Sequence, residues 1–257
     1  MALKNKKHLG QNWLKDRNIL LNIAEIAHSD AQDSTTALEI GPGLGTLTSA
    51  LLKFFPRVIA VEYDAALAQK LPGSFPGKRL EVLNADFLDF DLSQIPSPYV
   101  AVGNIPYYIT SPIVRHLLEA TNKPSKIVLT IQKEVAERIA AGPGDHTILS
   151  ISSQIYAEVT LGPVIDRSFF TPPPKVDSQV IILIPREQPL ATEDDLKFIK
   201  QPFRNPRKKL TTTLPYTTGK SKEEVKSALE AAQINPDFRP QDLTIEQWLT
   251  LRKALTY

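Results

Sequence analysis

The sequence has no cysteine among its 257 residues and only four histidines. The lack of cysteine excludes disulfides, thiolate metal sites and cysteine nucleophiles, which fits a reducing compartment. The histidines are scattered rather than grouped, so their spacing does not match a zinc site. We therefore expect no bound metal.

Long apolar runs are also missing. No stretch approaches the roughly 20 apolar residues of a membrane-spanning helix. The first residues, MALKNKKHLGQNW, carry the positive charge of a signal peptide, but no apolar segment follows them. These absences predict a cytoplasmic protein without a membrane partner, and we expect it to be a monomer.

No charge of one sign dominates, because the formal net charge is only +2, but the basic residues are unevenly distributed. One basic run lies in residues 1–17, and a second, FRNPRKKL, covers residues 203–210 with four positive charges and no acid. A short basic run is most often a solvated surface, yet two runs beside a suitable site predict contacts with nucleic-acid phosphates. The candidate RNA-binding residues are Lys6, Lys7, Arg204, Arg207, Lys208 and Lys209.

Apolar segments of two patterns alternate along most of the chain. The segments TALEI, RVIAVEY, LEVLNADF, YVAVGN, KIVLTI, QIYAEVTL and VIILIP are typical of strands that helices cover on both faces. Between them, GTLTSALLKFF, DAALAQKL, SPIVRHLLEAT and QKEVAERIAA have the apolar spacing of helices. This order predicts an α/β fold with a doubly wound, mostly parallel, seven-stranded Rossmann-like sheet.

The pattern changes after Pro185. The segments DDLKFIKQPF, KEEVKSALEAAQ and TIEQWLTLRKAL are amphipathic and helical, and prolines rather than strands separate them. We therefore predict a domain boundary near residues 185–191. A large domain, residues 1–188, would carry the catalytic site, and a small all-helical domain, residues 189–257, would bind nucleic acid.

Polar or glycine residues follow the first four predicted strands. The glycine loop GPGLG (41–45) lies between a strand and a helix, and Glu62 closes the next strand about 20 residues later. Asp86 and Asn104 follow the third and fourth strands. Because ligands of open α/β sheets bind at the carboxyl ends of the strands, these residues predict a nucleoside-binding slot.

Two cofactors fit such a slot, a nicotinamide dinucleotide and S-adenosylmethionine. The dinucleotide fingerprint G-x-G-x-x-G requires a third glycine where Thr46 stands. Glu39 instead precedes the loop in the spacing E-x-G-x-G-x-G, which resembles the first motif of class I S-adenosylmethionine-dependent methyltransferases. We therefore predict S-adenosylmethionine. Its candidate binding residues are Gly41, Gly43, Glu62, Asp86 and Asn104.

The segment GNIPYYITSPI places an amide, a proline and two tyrosines directly behind the strand YVAV. An exocyclic amino group on a base holds its lone pair in conjugation with the ring, so it needs help to accept a methyl group. The Asn104 amide oxygen and the Ile105 carbonyl can both accept its hydrogens, and Pro106 keeps Ile105 extended. The Tyr107 ring offers a face for the extruded base. These four residues are the candidate catalytic residues, and a tight turn around a tyrosine is the structural alternative.

The tetrapeptide NIPY resembles the (N/D)-P-P-(Y/F) motif of amino-group methyltransferases, in a form associated with adenine N6. Together with HLGQNWL, EIGPGLGTLT, NADFLDFD, QKEVAERI, FFTPPPKVDSQVI and FRNPRKKL, it is similar to the ribosomal RNA small-subunit adenine N6-dimethyltransferase family. The resemblance implies dimethylation of two adjacent adenosines in the 3′-terminal hairpin of 16S rRNA during ribosome biogenesis. It implies small-subunit rRNA or a 30S-type particle as partner, and Asn12 and Leu14 as further cofactor-lining residues.

Two other functions remain open. An antibiotic-resistance dimethyltransferase of large-subunit rRNA shares the cofactor and adenine motifs, although PPPKVDSQV followed by FRNPRKKL favours the small-subunit family. A binding module without catalysis, like the relatives used as mitochondrial transcription factors, would keep the fold, but the intact glycine and NIPY motifs argue against it. The sequence departs from the family pattern at Tyr108, where asparagine is common, and at Pro206, which interrupts the basic run.

Overall fold

A computed structural model describes residues 12–30 and 35–256 of the chain. The strands in this part are β1 (Trp13–Leu14), β2 (Thr36–Ile40), β3 (Arg57–Glu62), β4 (Leu80–Asn84), β5 (Tyr99–Asn104), β6 (Lys126–Gln132), β7 (Ala157–Ile165), β8 (Phe170–Thr171) and β9 (Ser178–Pro185). The α-helices are α1 (Arg17–His28), α2 (Thr46–Phe54), α3 (Ala65–Lys70), α4 (Thr110–Glu119), α5 (Lys133–Ala140), α6 (Ile148–Tyr156), α7 (Glu193–Lys200), α8 (Leu210–Thr218), α9 (Lys222–Ala231) and α10 (Ile245–Thr256).

Within the described residues, seven strands form one sheet in the order β4-β3-β2-β5-β6-β9-β7. The strands from β4 to β6 in this order pair in parallel, whereas β9 runs antiparallel to β6. The prediction of a mostly parallel, seven-stranded α/β sheet is therefore confirmed. The short strands β1 and β8 form a separate antiparallel pair.

The strand order reverses between β2 and β5. From β2 the chain continues to β3 and β4 on one side and then returns to β5 on the other. The register pairs Ile40 with Gly103, and a Cβ atom on Gly103 would lie 3.0 Å from the Ile40 carbonyl oxygen. Glycine at position 103 thus allows the close approach of these strands. A reversal of this kind is the usual ligand-binding point of an open α/β sheet.

The inner strands are mostly apolar and buried along almost their whole length, as expected for a sheet that is covered on both sides. All residues of β2 are buried, as are five of the six residues in β3 and in β5. The predicted strand QIYAEVTL is wrong in its first part, because Gln154–Tyr156 end helix α6. A capping box formed by Thr147 and Ser150 starts this helix, and Ile151 and Ile155 share its buried face. These helical signals outweighed the local strand propensity.

Helix α1, which the sequence analysis did not predict, is fixed at both ends. The Asp16 carboxylate accepts two backbone N–H groups of the first turn. At the other end the buried Lys126 ammonium donates to the carbonyl oxygens of Ile26 at 2.6 Å and Ser29 at 2.7 Å. These contacts satisfy backbone groups that a helix end leaves unpaired. Leu20 on this helix lines the cavity described below.

The chain divides into two compact units. The first contains the residues up to Ala136 and Glu158–Pro185, and the second contains Glu137–Ala157 and the residues from Arg186 onward. The stretch 137–157 was predicted within the large domain, but Ile151 and Ile155 in α6 belong to the helical core of the second unit. Local patterns in α6 carry no information about which core it joins. The functional roles assigned to residues 1–188 and 189–257 stay predictions.

The second unit packs its helices around the fully buried Trp248. Residues 186–256 contain no strand, as predicted. Helix α8 was missed because Pro215 lies inside it, and proline lacks the amide hydrogen that a helix interior uses. None of the helices in the described ranges combines the length and apolarity needed to cross a bilayer.

Candidate active site

The ends of strands β2, β3, β4 and β5 surround a cavity of about 290 Å³ in the first unit. A volume of this size suits a small-molecule ligand. The sequence-predicted catalytic and cofactor-binding residues all line it, namely Asn12, Leu14, Gly41, Gly43, Glu62, Asp86, Asn104, Ile105, Pro106 and Tyr107. The structure thus brings residues from five separate segments together, and their individual roles stay predictions.

The glycine loop forms one wall of the cavity. Gly41 and Gly43 have φ angles of 64° and 56°, a region that residues with side chains rarely adopt. A Cβ atom on Gly41 would meet nothing within 4 Å, so this position keeps open space beside the backbone. The Gly41 N–H donates to the Val61 carbonyl at 2.9 Å, which ties the loop to β3. Helix α2 then begins at Thr46.

Glu62 is buried at the end of β3 and holds two backbone groups. Its Oε2 atom accepts the Gly43 N–H at 2.9 Å, and its Oε1 atom accepts the Asp64 N–H at 2.8 Å. Burial raises the pKa of Glu62, whereas these two hydrogen bonds lower it. Each carboxylate oxygen has a second lone pair, so Glu62 can position the glycine loop and still accept hydrogen bonds from a ligand. Its contact with the loop was not predicted.

Glu39 is a cavity residue that the sequence analysis noted only as part of the glycine motif. It is 1% exposed, and its Oε2 atom accepts the Thr48 hydroxyl at 2.6 Å. Its Oε1 atom has no hydrogen-bond partner among the described residues. Burial, together with the nearby Glu62 carboxylate, raises the pKa of Glu39 from 4.5 to about 8. A buried carboxyl oxygen without a partner beside a cavity indicates a polar ligand, and a hydrogen-bond donor or positive charge on that ligand would favour the carboxylate form of Glu39.

This raised pKa predicts a pH-dependent stability of the ligand-free protein. A carboxyl group whose pKa is higher in the folded state stabilises the fold fully below its unfolded pKa of 4.5 and loses this contribution as pH rises towards 8. We expect the free energy of unfolding to fall by as much as about 5 kcal/mol over this range on account of Glu39. Glu39→Gln, which cannot ionise, should remove most of that slope in chemical denaturation at pH 5 and pH 8.5. An equal slope in both proteins would contradict the assignment.

The loop after β4 also lines the cavity. Asp86 is exposed at the cavity, and its Oδ1 atom accepts the Leu88 N–H at 2.9 Å. His116 on helix α4 contacts this loop, with Nε2 2.9 Å from the Phe90 carbonyl oxygen and its ring in a T-shaped arrangement with Phe87. Asp86 therefore lines the cavity from a turn that hydrogen bonds hold in place.

Asn104 and Tyr107 also line the cavity. The Asn104 Nδ2 atom donates to the Asn12 carbonyl at 3.0 Å, which leaves the Oδ1 atom as an acceptor. The Tyr107 hydroxyl lies 2.8 Å from the Ser178 hydroxyl, and burial raises the pKa of the phenol. Tyr108, beside Tyr107, is 64% exposed.

The segment around β1 reaches the cavity through its pairing with β8. Trp13 pairs with Thr171 and Leu14 with Phe170, so residues 12–14 lie against the glycine loop. Leu14 is 1% exposed and belongs to the core of the first unit. A Cβ atom on Gly43 would lie 3.2 Å from the Trp13 indole nitrogen. Only the pairing of distant strands places these residues at the site.

Four of the predicted RNA-binding residues, all in the segment 203–210, do not line this cavity. Arg204, Arg207, Lys208 and Lys209 are exposed residues of the second unit. Lys209 pairs with the exposed Asp237 at 2.7 Å. Lys6 and Lys7 lie outside the described residues. Residues 12–30 and 35–256 contain no group of three or more His, Cys, Asp or Glu side chains that could hold a metal ion.

Known proteins with similar sequences cover nearly the whole chain. The ribosomal RNA small subunit methyltransferase A of Alkaliphilus metalliredigens is 40% identical over 263 residues, covering 97% of this chain and 91% of the relative. The protein of the same name from Dehalococcoides mccartyi is 38% identical and covers 97% of this chain and 88% of the relative.

Two solved structures are also similar to nearly the whole chain. The 23S rRNA methyltransferase ErmE has a TM-score of 0.78 and 31% identity, covering 96% of this chain and 100% of that chain. A dimethyladenosine transferase from Plasmodium falciparum has a TM-score of 0.74 and 28% identity, covering 93% and 95%. The sequence profile named ribosomal RNA adenine dimethylase matches residues 2–256. This chain therefore belongs to the ribosomal RNA adenine dimethylase family.

Proposed function

We propose that this protein transfers methyl groups from S-adenosylmethionine to the N6 atoms of two adjacent adenosines in the 3′-terminal hairpin of small-subunit rRNA. The observation that carries the proposal is that the glycine loop, Glu62, Asn104 and Tyr107 all line the same cavity. Relatives at 38–40% identity are named small-subunit methyltransferases. A 30S-type particle in the cytoplasm would be the partner, and we expect the enzyme to act as a monomer.

The residues of the cavity fit S-adenosylmethionine. Glu62 keeps lone pairs for ribose hydroxyls, and Asp86 is an exposed acceptor that lines the same cavity. The Glu39 Oε1 atom has no partner among the described residues, and a cationic ligand nearby would favour the charged form of this carboxyl group. Gly41 leaves open space beside the backbone. When bound, the cofactor supplies an electrophilic methyl group on a sulfonium centre. No residue in this set requires a metal.

The motif residues prepare the adenine amino group. The Asn104 Oδ1 atom would accept one amino hydrogen, and we expect Pro106 to keep Ile105 extended so that its carbonyl accepts the other. These two acceptors favour a tetrahedral nitrogen, which frees its lone pair for attack. The Tyr107 ring stacks on the extruded base, and its face favours the positive charge that develops on the nitrogen. The proton is acidic once the nitrogen is methylated, so positioning rather than a strong base does most of the work.

The second candidate substrate is large-subunit rRNA. The observation in its favour is the similarity to ErmE, which is named a 23S rRNA methyltransferase. Labelled S-adenosylmethionine, offered with unmethylated small-subunit or large-subunit particles, separates the two substrates. We expect label at adenine N6 of the small subunit. Label only in the large subunit would favour the second candidate, and label in neither would favour a binding module without catalysis.

Neutralising the exposed basic residues should weaken RNA binding in a salt-dependent way. Each lysine or arginine that contacts a phosphate releases counterions, so each lost contact should flatten the slope of log K against log salt by about 0.7–0.9. We expect this for alanine replacements of Arg204, Arg207, Lys208 and Lys209, with unchanged cofactor affinity. Lys197→Ala with Lys226→Ala is the matched control, because these exposed lysines pair with acids on their own helices. Identical slopes in all variants would show that the basic run is only a solvated surface.

A further inference from the structure

We infer that Ser178 is a positioning residue for the Tyr107 ring, so that the segment PPPKVDSQV is part of the base-capture site. The two hydroxyl oxygens lie 2.8 Å apart, a normal hydrogen-bond length, although the residues are 71 positions apart in sequence. Ser178 is fully buried, whereas Tyr107 lines the cavity. The inference rests on the proposed role of Tyr107 in stacking the target base.

Ser178 is held rigidly. It is the first residue of β9, and it pairs with Gln132 in the antiparallel ladder between β6 and β9. The preceding residue, Asp177, accepts the Lys133 N–H on its carbonyl at 3.0 Å and the Arg167 N–H on its carboxylate at 3.1 Å. The position of the serine hydroxyl is therefore fixed by strand pairing on one side and by Asp177 on the other.

Tyr107 is fixed at its backbone as well. It begins the short 3₁₀ turn Tyr107–Ile109, and its carbonyl accepts the Thr110 hydroxyl at 3.1 Å. With the backbone held at one end and the phenol at the other, the ring has little freedom about its two side-chain torsions. A surface that is ordered before its ligand arrives binds that ligand more tightly, because less side-chain freedom is lost on binding.

The alternative is that Tyr107 only satisfies a buried serine hydroxyl, as buried polar groups generally require. In that case the hydrogen bond would matter for folding and not for base capture. The two explanations differ in whether the loss of either hydroxyl changes base capture or changes only the stability of the fold.

The test is a double-mutant cycle with Ser178→Ala and Tyr107→Phe. The measured quantity is the single-turnover methylation rate of unmethylated small-subunit particles at saturating S-adenosylmethionine, as a function of particle concentration. We expect each single variant to lower kcat/KM by about 2- to 10-fold, mainly through KM, which corresponds to the ordering of one side chain. The double variant should be no worse than either single variant, because both remove the same hydrogen bond.

Two controls make the cycle decisive. Tyr107→Phe removes the bond from the accessible side and leaves β9 untouched, so it tests the inference even where Ser178→Ala folds poorly. Thr130→Val removes an equally buried hydroxyl on β6 that has no hydrogen-bond partner among the described residues, and it should methylate like the wild type. Cofactor affinity should be unchanged in every variant.

Wild-type rates in Ser178→Ala, or losses that multiply in the double variant, would overturn the positioning role and leave the proposed function intact. A failure of the proposed function looks different. In that case the wild-type protein itself transfers no methyl group to small-subunit adenosines. This result would contradict both the proposed function and the role of Ser178, without any comparison of variants.

Discussion

Asn104→Ala is expected to slow methyl transfer by about 100-fold or more while leaving RNA binding nearly unchanged. The Asn104 Oδ1 atom accepts a hydrogen from the amino group as the new bond forms, and removing one such preorganised group typically lowers kcat by about 10²–10³. RNA affinity depends mainly on phosphate contacts, so it should not follow the rate. Single-turnover methylation of unmethylated small subunits at saturating S-adenosylmethionine measures the effect.

Two further variants separate the acceptor role from structural support. Asn104→Asp keeps acceptor oxygens but cannot donate to the Asn12 carbonyl, so it should retain more activity than alanine. Asn122→Ala removes an amide that donates to the carbonyls of Leu92 and Ile95. It should lower the melting temperature without changing the rate. A folded Asn104→Ala protein that transfers methyl at the wild-type rate would contradict the proposal that Asn104 activates the adenine amino group.

Glu62→Ala is expected to weaken S-adenosylmethionine binding by about 10- to 100-fold or more. The variant loses an acceptor for ribose hydroxyls, and hydrogen bonds to charged groups contribute about 1.5–3 kcal/mol each. It also releases the Gly43 N–H, which the Glu62 Oε2 atom holds at 2.9 Å, so the glycine loop loses its anchor. Isothermal titration with S-adenosylmethionine gives the dissociation constant, and RNA binding should stay close to that of the wild type.

The control for Glu62→Ala is Glu81→Ala on the neighbouring strand β4. Glu81 forms an exposed ion pair with Arg57, and exposed pairs contribute little. Its loss should therefore leave the dissociation constant unchanged. Glu62→Gln keeps an oxygen acceptor for one backbone N–H and should bind with intermediate affinity. An unchanged constant in folded Glu62→Ala would remove this residue from the cofactor site.

Much of the fold could be predicted from the sequence because its signals are local. Continuous apolar runs mark inner strands of a covered sheet, and the glycine motif can be recognised within seven residues, from Glu39 to Gly45. The local signals failed where two of them competed. In QIYAEVTL the strand-like composition led to a strand prediction for residues 154–156, which in fact end helix α6. The Thr147 and Ser150 capping box of this helix was present in the sequence. Helix α8 was missed because Pro215, a residue that normally ends a helix, lies inside it.

The sequence by itself determined the class of fold, the order of the motifs and the kind of chemistry, since each depends on residues close together along the chain. Only the tertiary structure decided which distant residues meet: Ser178 with Tyr107, the Asn12 carbonyl with Asn104, and Glu62 with Gly43. These contacts follow from the reversal between β2 and β5, the antiparallel entry of β9 and the pairing of β1 with β8. Pairing between strands so far apart in sequence depends on the packing energy of the whole core. That energy cannot be read from a short stretch of sequence.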